Sequence, residues 1–204
     1  MKPPVIESRP RPRHGAVLLA AGASRRLGRP KQTVLIDGEP LVARMAGLAL
    51  ATDPRVLVIS LGAQADAVRR SLGDLGDDPR LRCVVAAGWA RGMGASLRAG
   101  LDALPDACDA ALVLLCDQPA LTLAHLERLL AAWRTHPVRA SASAYAGVLG
   151  VPAVLPRAWW PALGAGVDRG ARELLRERAT EVSAVAAIEL ARDLDTPADL
   201  DSLP

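Results

Sequence analysis

Short apolar runs alternating with helical segments constrain this chain more than any other feature. Ala16–Ala20, Val56–Leu61, Cys83–Ala86 and Ala110–Cys116 read as strands with no polar face to offer solvent. Between them lie stretches with helical periodicity: Leu41, Val42, Met45, Leu48 and Ala49 on one face, then Ala65–Leu72, then Ser96–Leu104 with Ser96 as its cap. Thr122 opens a further helix, with apolar residues at Leu123, Leu126, Leu130 and Trp133 and a Leu121–Leu126 staple. Strands apolar on both faces belong to a mostly parallel sheet covered by helices on both sides. The rhythm changes near residue 138. Ala140–Tyr145 meets Ala146-Gly147 and is followed by Gly150–Leu155, an antiparallel excursion. A helix over Gly170–Arg178, a strand over Val182–Val185 and a terminal helix opened by Thr196-Pro-Ala-Asp199 complete the α/β reading.

On such sheets ligands sit beyond the carboxyl ends of the strands, and the loops there carry the chemistry. After the first strand comes Leu19-Ala-Ala-Gly-Ala-Ser-Arg-Arg-Leu-Gly-Arg-Pro-Lys31. Its small residues, Ala20, Ala21, Gly22, Ala23 and Ser24, let backbone N–H groups approach a ligand, and Arg25, Arg26, Arg29 and Lys31 supply positive charge. That combination suits a polyphosphate. Neither the Walker A spacing nor Gly-x-Gly-x-x-Gly is present, which disfavours a nicotinamide oxidoreductase. The chain has two lysines, Lys2 and Lys31, against 23 arginines. A lysine retained in so arginine-rich a chain marks a place for a compact point charge rather than a planar fork.

Asp117 leaves the most buried strand in Cys116-Asp-Gln-Pro119 and, with Thr122 available as the helix cap, is left to hold a hard cation through oxygen. Asp193 and Asp195 precede a helix that Thr196 caps, and either can partner Asp117 on a divalent ion; the alternative for both is a solvated turn. Without the ion, two close carboxylates repel. Removing the charge of Asp117 should then leave the nucleotide-free stability unchanged or raised. Gly92-Met-Gly-Ala-Ser96 is a second glycine-rich helix entry, and Asp168-Arg-Gly-Ala-Arg172 places charge ahead of another helix.

Composition narrows the partners. One Tyr and no Phe argue against a base-stacking platform for nucleic acid. The formal charge of +3 equals that of residues 1–14, where Lys2, Arg9, Arg11 and Arg13 face Glu7. This Pro/Arg-rich stretch reads as a disordered basic tail, followed by one domain over 15–204. It lacks the apolar core of a secretory signal, no apolar run reaches membrane-span length, and Cys83, Cys108 and Cys116 read as buried thiols of a reduced, cytoplasmic protein. The histidines, His14, His125 and His136, have no metal-ligand spacing.

Taken together and in order, LAAGASRRLGRPK, WARGMGASLRAG, LLCDQP, the Gly150-Val-Pro152 turn, DRGAR and DLDTPADL resemble the nucleotidyltransferases of the molybdenum cofactor, most closely the cytidylyltransferases, from about Gly15 to Leu200. The guanylyl-transferring relatives typically carry LAGG and an acidic residue before the lysine, so Ala21 and Pro30 lean towards CTP. The chain departs from the family's pattern at Ala86-Ala87, Arg91, Val167 and Leu27. The resemblance implies a single-domain Rossmann-like nucleotidyltransferase fold and transfer of CMP from CTP to a molybdopterin-type acceptor with release of pyrophosphate. Mg²⁺, or Mn²⁺ in its place, would sit on Asp117 with Asp193 or Asp195. Arg25 and Lys31 would serve the triphosphate. Leu19, Ala20, Ala21, Gly22, Ser24, Gly62, Gly92 and Ser96 would line the nucleotide, and the Asp168–Arg172 segment the acceptor. A molybdenum hydroxylase would be the client. The rivals are guanylyl or other nucleotidyl transfer to another phosphorylated acceptor, and a catalytically idle module that delivers cofactor.

Overall fold

The computed structural model describes residues 12–163, 170–191, 193–194 and 196–200. Its centre is a seven-stranded sheet. Strands β1 (His14–Ala20), β4 (Leu57–Leu61), β5 (Leu81–Val85) and β6 (Ala110–Leu115) are parallel, and β4 and β5 lie to one side of β1 with β6 on the other. Between β1 and β4, the strands β2 (Leu35–Ile36) and β3 (Glu39–Pro40) form a small antiparallel hairpin. Beyond β6 come β8 (Val148–Pro156), antiparallel to both neighbours, then β7 (Ala140–Tyr145) and β9 (Val182–Ala186), paired in parallel. Only β8 runs against the rest. The excursion is a tight hairpin, because Ala146 and Gly147 both adopt positive φ, +48° and +74°, the backbone twist that joins adjacent antiparallel strands.

Alternation along the strands divides the core in two. Leu18, Ile59, Leu112 and Leu114 face α1 (Leu41–Ala51) and α4 (Leu123–Thr135) in one cluster, while Val17, Val58, Ala111 and Val113 face α3 (Met93–Asp102) and α5 (Ala171–Glu177) in the other. Gly100 brings α3 close to the sheet, since a Cβ there would lie 2.5 Å from Val17 Cγ1. Thr122 caps α4 as read, accepting a hydrogen bond from His125 N–H at 3.3 Å, and Leu121 and Leu126 are buried.

Several element ends shift by one or two residues from the sequence reading, and three differences matter most. Strand β1 starts at His14, whose imidazole is buried and bonded to Thr52 Oγ1 at 3.0 Å. Helix α2 (Ala65–Arg70) stops short of Leu72. Ser96 does not cap α3: the helix begins at Met93, after Gly92 at φ +129° and ψ 174°, a conformation that only glycine adopts readily. Ser96 instead lies within the helix, buried, with its carbonyl accepting from Ser60 Oγ at 2.7 Å.

Candidate active site

At the carboxyl end of the parallel strands lies a cavity of about 420 Å³. The basic loop, the Trp89–Ser96 segment and the end of β6 form its walls. Of the residues singled out from sequence, Leu19, Ala21, Gly22, Ser24, Arg25, Lys31, Gly92, Ser96 and Asp117 all line it. Ala20, the last residue of β1, is buried and does not line it. Gly62 is pressed between two walls: a Cβ there would lie 2.4 Å from the Ala21 carbonyl oxygen and 2.8 Å from Trp89 Cγ.

The loop is braced from within. Ser24 holds a left-handed φ of +49°, a conformation costing on the order of 1–3 kcal/mol in a non-glycine residue. Its carbonyl accepts from Leu27 and Gly28 N–H, and its Oγ accepts from Lys31 N–H at 3.0 Å. Leu27 anchors the turn in the core. The N–H groups of Ala21, Gly22 and Ala23 have no acceptor among the described residues.

Lys31 Nζ donates to Asp117 Oδ2 at 2.6 Å, and the two side chains are only 15% and 16% exposed. The remaining oxygen, Asp117 Oδ1, is buried with no hydrogen-bond partner among the described residues. An unpaired anionic oxygen at the floor of a cavity is a ligand for a hard cation, so the donor set fits a divalent ion. The late acidic segment reaches the same place. After β9, Ala187 N–H bonds Ala144 O, and Leu194 N–H bonds Asp117 O at 2.8 Å, which sets Asp193 beside the end of β6. Asp195 and Asp168 lie outside the described residues. Among the described residues no three acidic, histidine or cysteine side chains gather into a metal-binding group.

Tyr145 was not singled out from sequence, although it is the chain's only tyrosine and closes a strand at the ligand edge. Its hydroxyl donates to Val151 O at 3.0 Å. Burial pushes its pKa up, and the charges of Asp193 and Asp117 push the same way, while a hydrogen bond with Gln118 and the charge of Arg172 oppose them. A second cavity of about 570 Å³ is lined by Gly147–Leu149 and by Arg172, Glu173 and Arg176 of α5. Cys116 lines the first cavity, but burial and the adjacent Asp117 raise its thiol pKa, so it stays protonated at neutral pH.

These features, a Rossmann-like sheet with a cation-bearing loop at its carboxyl edge, define a nucleotidyltransferase-type domain. Residues 16–182 match the MobA-like NTP transferase domain, and the chain belongs to that family. It is 40% identical over 174 residues to a nicotine blue oxidoreductase of Paenarthrobacter nicotinovorans, covering 79% of this chain and 81% of that protein. It is 34% identical over 150 residues to a molybdenum cofactor guanylyltransferase of Rhodobacter capsulatus, covering 71% and 72%. Among solved structures, Rv0371c of Mycobacterium tuberculosis H37Rv superposes with a TM-score of 0.78 at 26% identity, covering 94% of this chain and 97% of that one. Among the described residues no helix is long and apolar enough to cross a membrane.

Proposed function

We propose that the protein transfers CMP from CTP to the phosphate of a molybdopterin-type acceptor and releases pyrophosphate. The observation that carries this reading is the Lys31–Asp117 pair in one cavity with Ala21, Gly22 and Ala23, whose N–H groups have no acceptor among the described residues. N–H donors and the guanidinium of Arg25 take the triphosphate oxygens, and Lys31 offsets the charge that develops at the α-phosphorus. An acceptor phosphate oxygen attacks that phosphorus in line. The new P–O bond forms as the bond to the bridging oxygen breaks, and pyrophosphate leaves with the electron pair. Such chemistry needs positioning and charge neutralisation rather than a protein nucleophile, in keeping with the protonated Cys116. Asp117 through Oδ1, together with Asp193 or Asp195, would hold Mg²⁺ or Mn²⁺. Bound there, the cation would neutralise α-phosphate and pyrophosphate oxygens. With nucleotide bound, Lys31 would turn from Asp117 to a phosphate, which would leave the Asp117 carboxylate to hold the cation.

The acceptor would lie towards the second cavity, where Arg172 and Arg176 stand four residues apart on α5 and offer cations to an anionic group. A cytoplasmic molybdenum hydroxylase is the client this product would serve. Acceptor-dependent pyrophosphate release, compared for CTP, GTP and ATP, tests the reading. Transfer from GTP would make it a guanylyltransferase, as the Rhodobacter relative is named. The Paenarthrobacter relative's name, nicotine blue oxidoreductase, supports a second reading, an oxidoreductase activity. Redox turnover of nicotine blue, and no pyrophosphate from any nucleotide, would favour it.

A further inference from the structure

Gln32 is almost fully buried, 1% exposed, although it follows Lys31 at the mouth of a polar cavity. Burying a primary amide is costly unless its donors are used, and here they are. Nε2 donates to Ala20 O and to Gly22 O, both at 2.9 Å. On its other side, Oε1 receives a long bond from Ser24 Oγ at 3.5 Å. We propose that Gln32 is a positioning residue for the nucleotide, fixing the two peptide planes that present the Ala21 and Ala23 N–H groups. The proposal rests on the nucleotide-binding reading given above.

The geometry argues as follows from the backbone outward. Two oxygens that share one nitrogen at 2.9 Å are closer together than the roughly 6.6 Å that separates equivalent atoms two residues apart in an extended strand. The chain therefore curls where it leaves β1, and the side-chain amide of Gln32 holds the curl. A trans peptide points its N–H opposite to its C=O. Holding the Ala20 and Gly22 carbonyls turns the N–H groups of Ala21 and Ala23 away from Gln32, and neither has an acceptor among the described residues. The Ala21 carbonyl is drawn elsewhere, to Ala63 N–H at 3.4 Å. Lys31 and Gln32 thus act as neighbours on one 3-10 turn, Lys31–Thr33. The first faces the ligand charge, and the second sets the backbone donors.

Gln32→Met keeps the length of the side chain and removes both donors. Gln32→Asn keeps the amide but is one methylene too short to reach both carbonyls. Binding of CTP and of GTP, each with Mg²⁺, is measured by calorimetry and by fluorescence of Trp89, which lines the cavity, beside the ligand-free melting temperature. The expected result is at least a tenfold rise in the nucleotide Kd for Gln32→Met, an intermediate rise for Gln32→Asn, and Ala21 and Ala23 amide resonances that shift on nucleotide addition in the wild type. If Gln32→Met does not fold, Gln32→Asn decides by the same comparison. A lowered melting temperature with the Kd within about twofold of wild type, the pattern of a merely structural brace, overturns the proposal and leaves the nucleotide reading standing. A wild-type protein that binds neither nucleotide overturns both.

Discussion

Replacing Asp117 by asparagine keeps the side chain's shape and removes its charge. Read from sequence, the site holds two carboxylates that repel without a cation, so the ligand-free protein should gain stability or be indifferent. The structure reverses that sign, because Asp117 Oδ2 already accepts from Lys31 Nζ at 2.6 Å in surroundings that leave both side chains about one-sixth exposed. Asp117→Asn leaves an ammonium largely out of water and without its carboxylate. Breaking a fully buried pair in this way costs about 3–5 kcal/mol. The residual exposure, and a further interaction of Lys31, bring the expectation down to about 2 kcal/mol. For a chain of this size that is a fall of about 4–8 °C in melting temperature. Scanning fluorimetry without nucleotide or metal measures it, with Lys31→Met and the double variant completing a cycle in which the two single losses should not add. Pyrophosphate release by Asp117→Asn should collapse at the same time. Unchanged or raised melting in Asp117→Asn, with additive losses in the cycle, would refute the pairing argument.

CTP with Mg²⁺ should raise the melting temperature more than GTP or ATP at equal concentration, by about 5–10 °C at a hundredfold excess over Kd; better protection by GTP would replace the cytidylyl reading with a guanylyl one. Lys31→Ala should lower turnover on the order of 10²-fold or more, and Lys31→Arg should restore it only in part, because the pair with Asp117 is close and enclosed. His14 adds a pH dependence. Burial first, and the charge of Arg134 second, lower its pKa from 6.5 to about 4. The folded state thus resists a proton that the unfolded chain accepts below about pH 6.5. The stability this confers is present above pH 6.5 and falls by about 3 kcal/mol as pH drops to 4. Melting curves of wild type and His14→Gln over that range should therefore converge towards acid, and parallel curves would remove His14 as the cause.

The local signals of the sequence carried far. An apolar run followed by small residues and cations located the loop at the sheet edge, Thr122 located the start of α4, and Ala146-Gly147 located the hairpin. Each depends on neighbours within a few residues. The failures have a common physical origin in contacts that no local pattern reports. Lys31 and Asp117 are 86 residues apart and meet only because β1 and β6 are adjacent in the sheet. Asp193 comes beside Asp117 through a backbone bond from Leu194. Gln32 looks like any polar residue after a basic loop until the strand curls around its amide. Ser96 was misread as a cap because a serine before an apolar run has that appearance, whereas the cap position is taken by Gly92 through its backbone conformation, with no side-chain signal. Tyr145 gains its electrostatic surroundings from three separate segments of the chain.

Transfer of the nucleotide itself is the most direct measurement. The purified protein, incubated with CTP labelled at the α-phosphate, Mg²⁺ and a molybdopterin-type acceptor, is analysed for label in acceptor and in solution. Acceptor-linked CMP should form in equal amount to the pyrophosphate released, and both should disappear in Lys31→Ala. Label that remains in CTP, under conditions where the protein binds both compounds and no other nucleoside triphosphate substitutes, would contradict nucleotidyl transfer as the activity of this site.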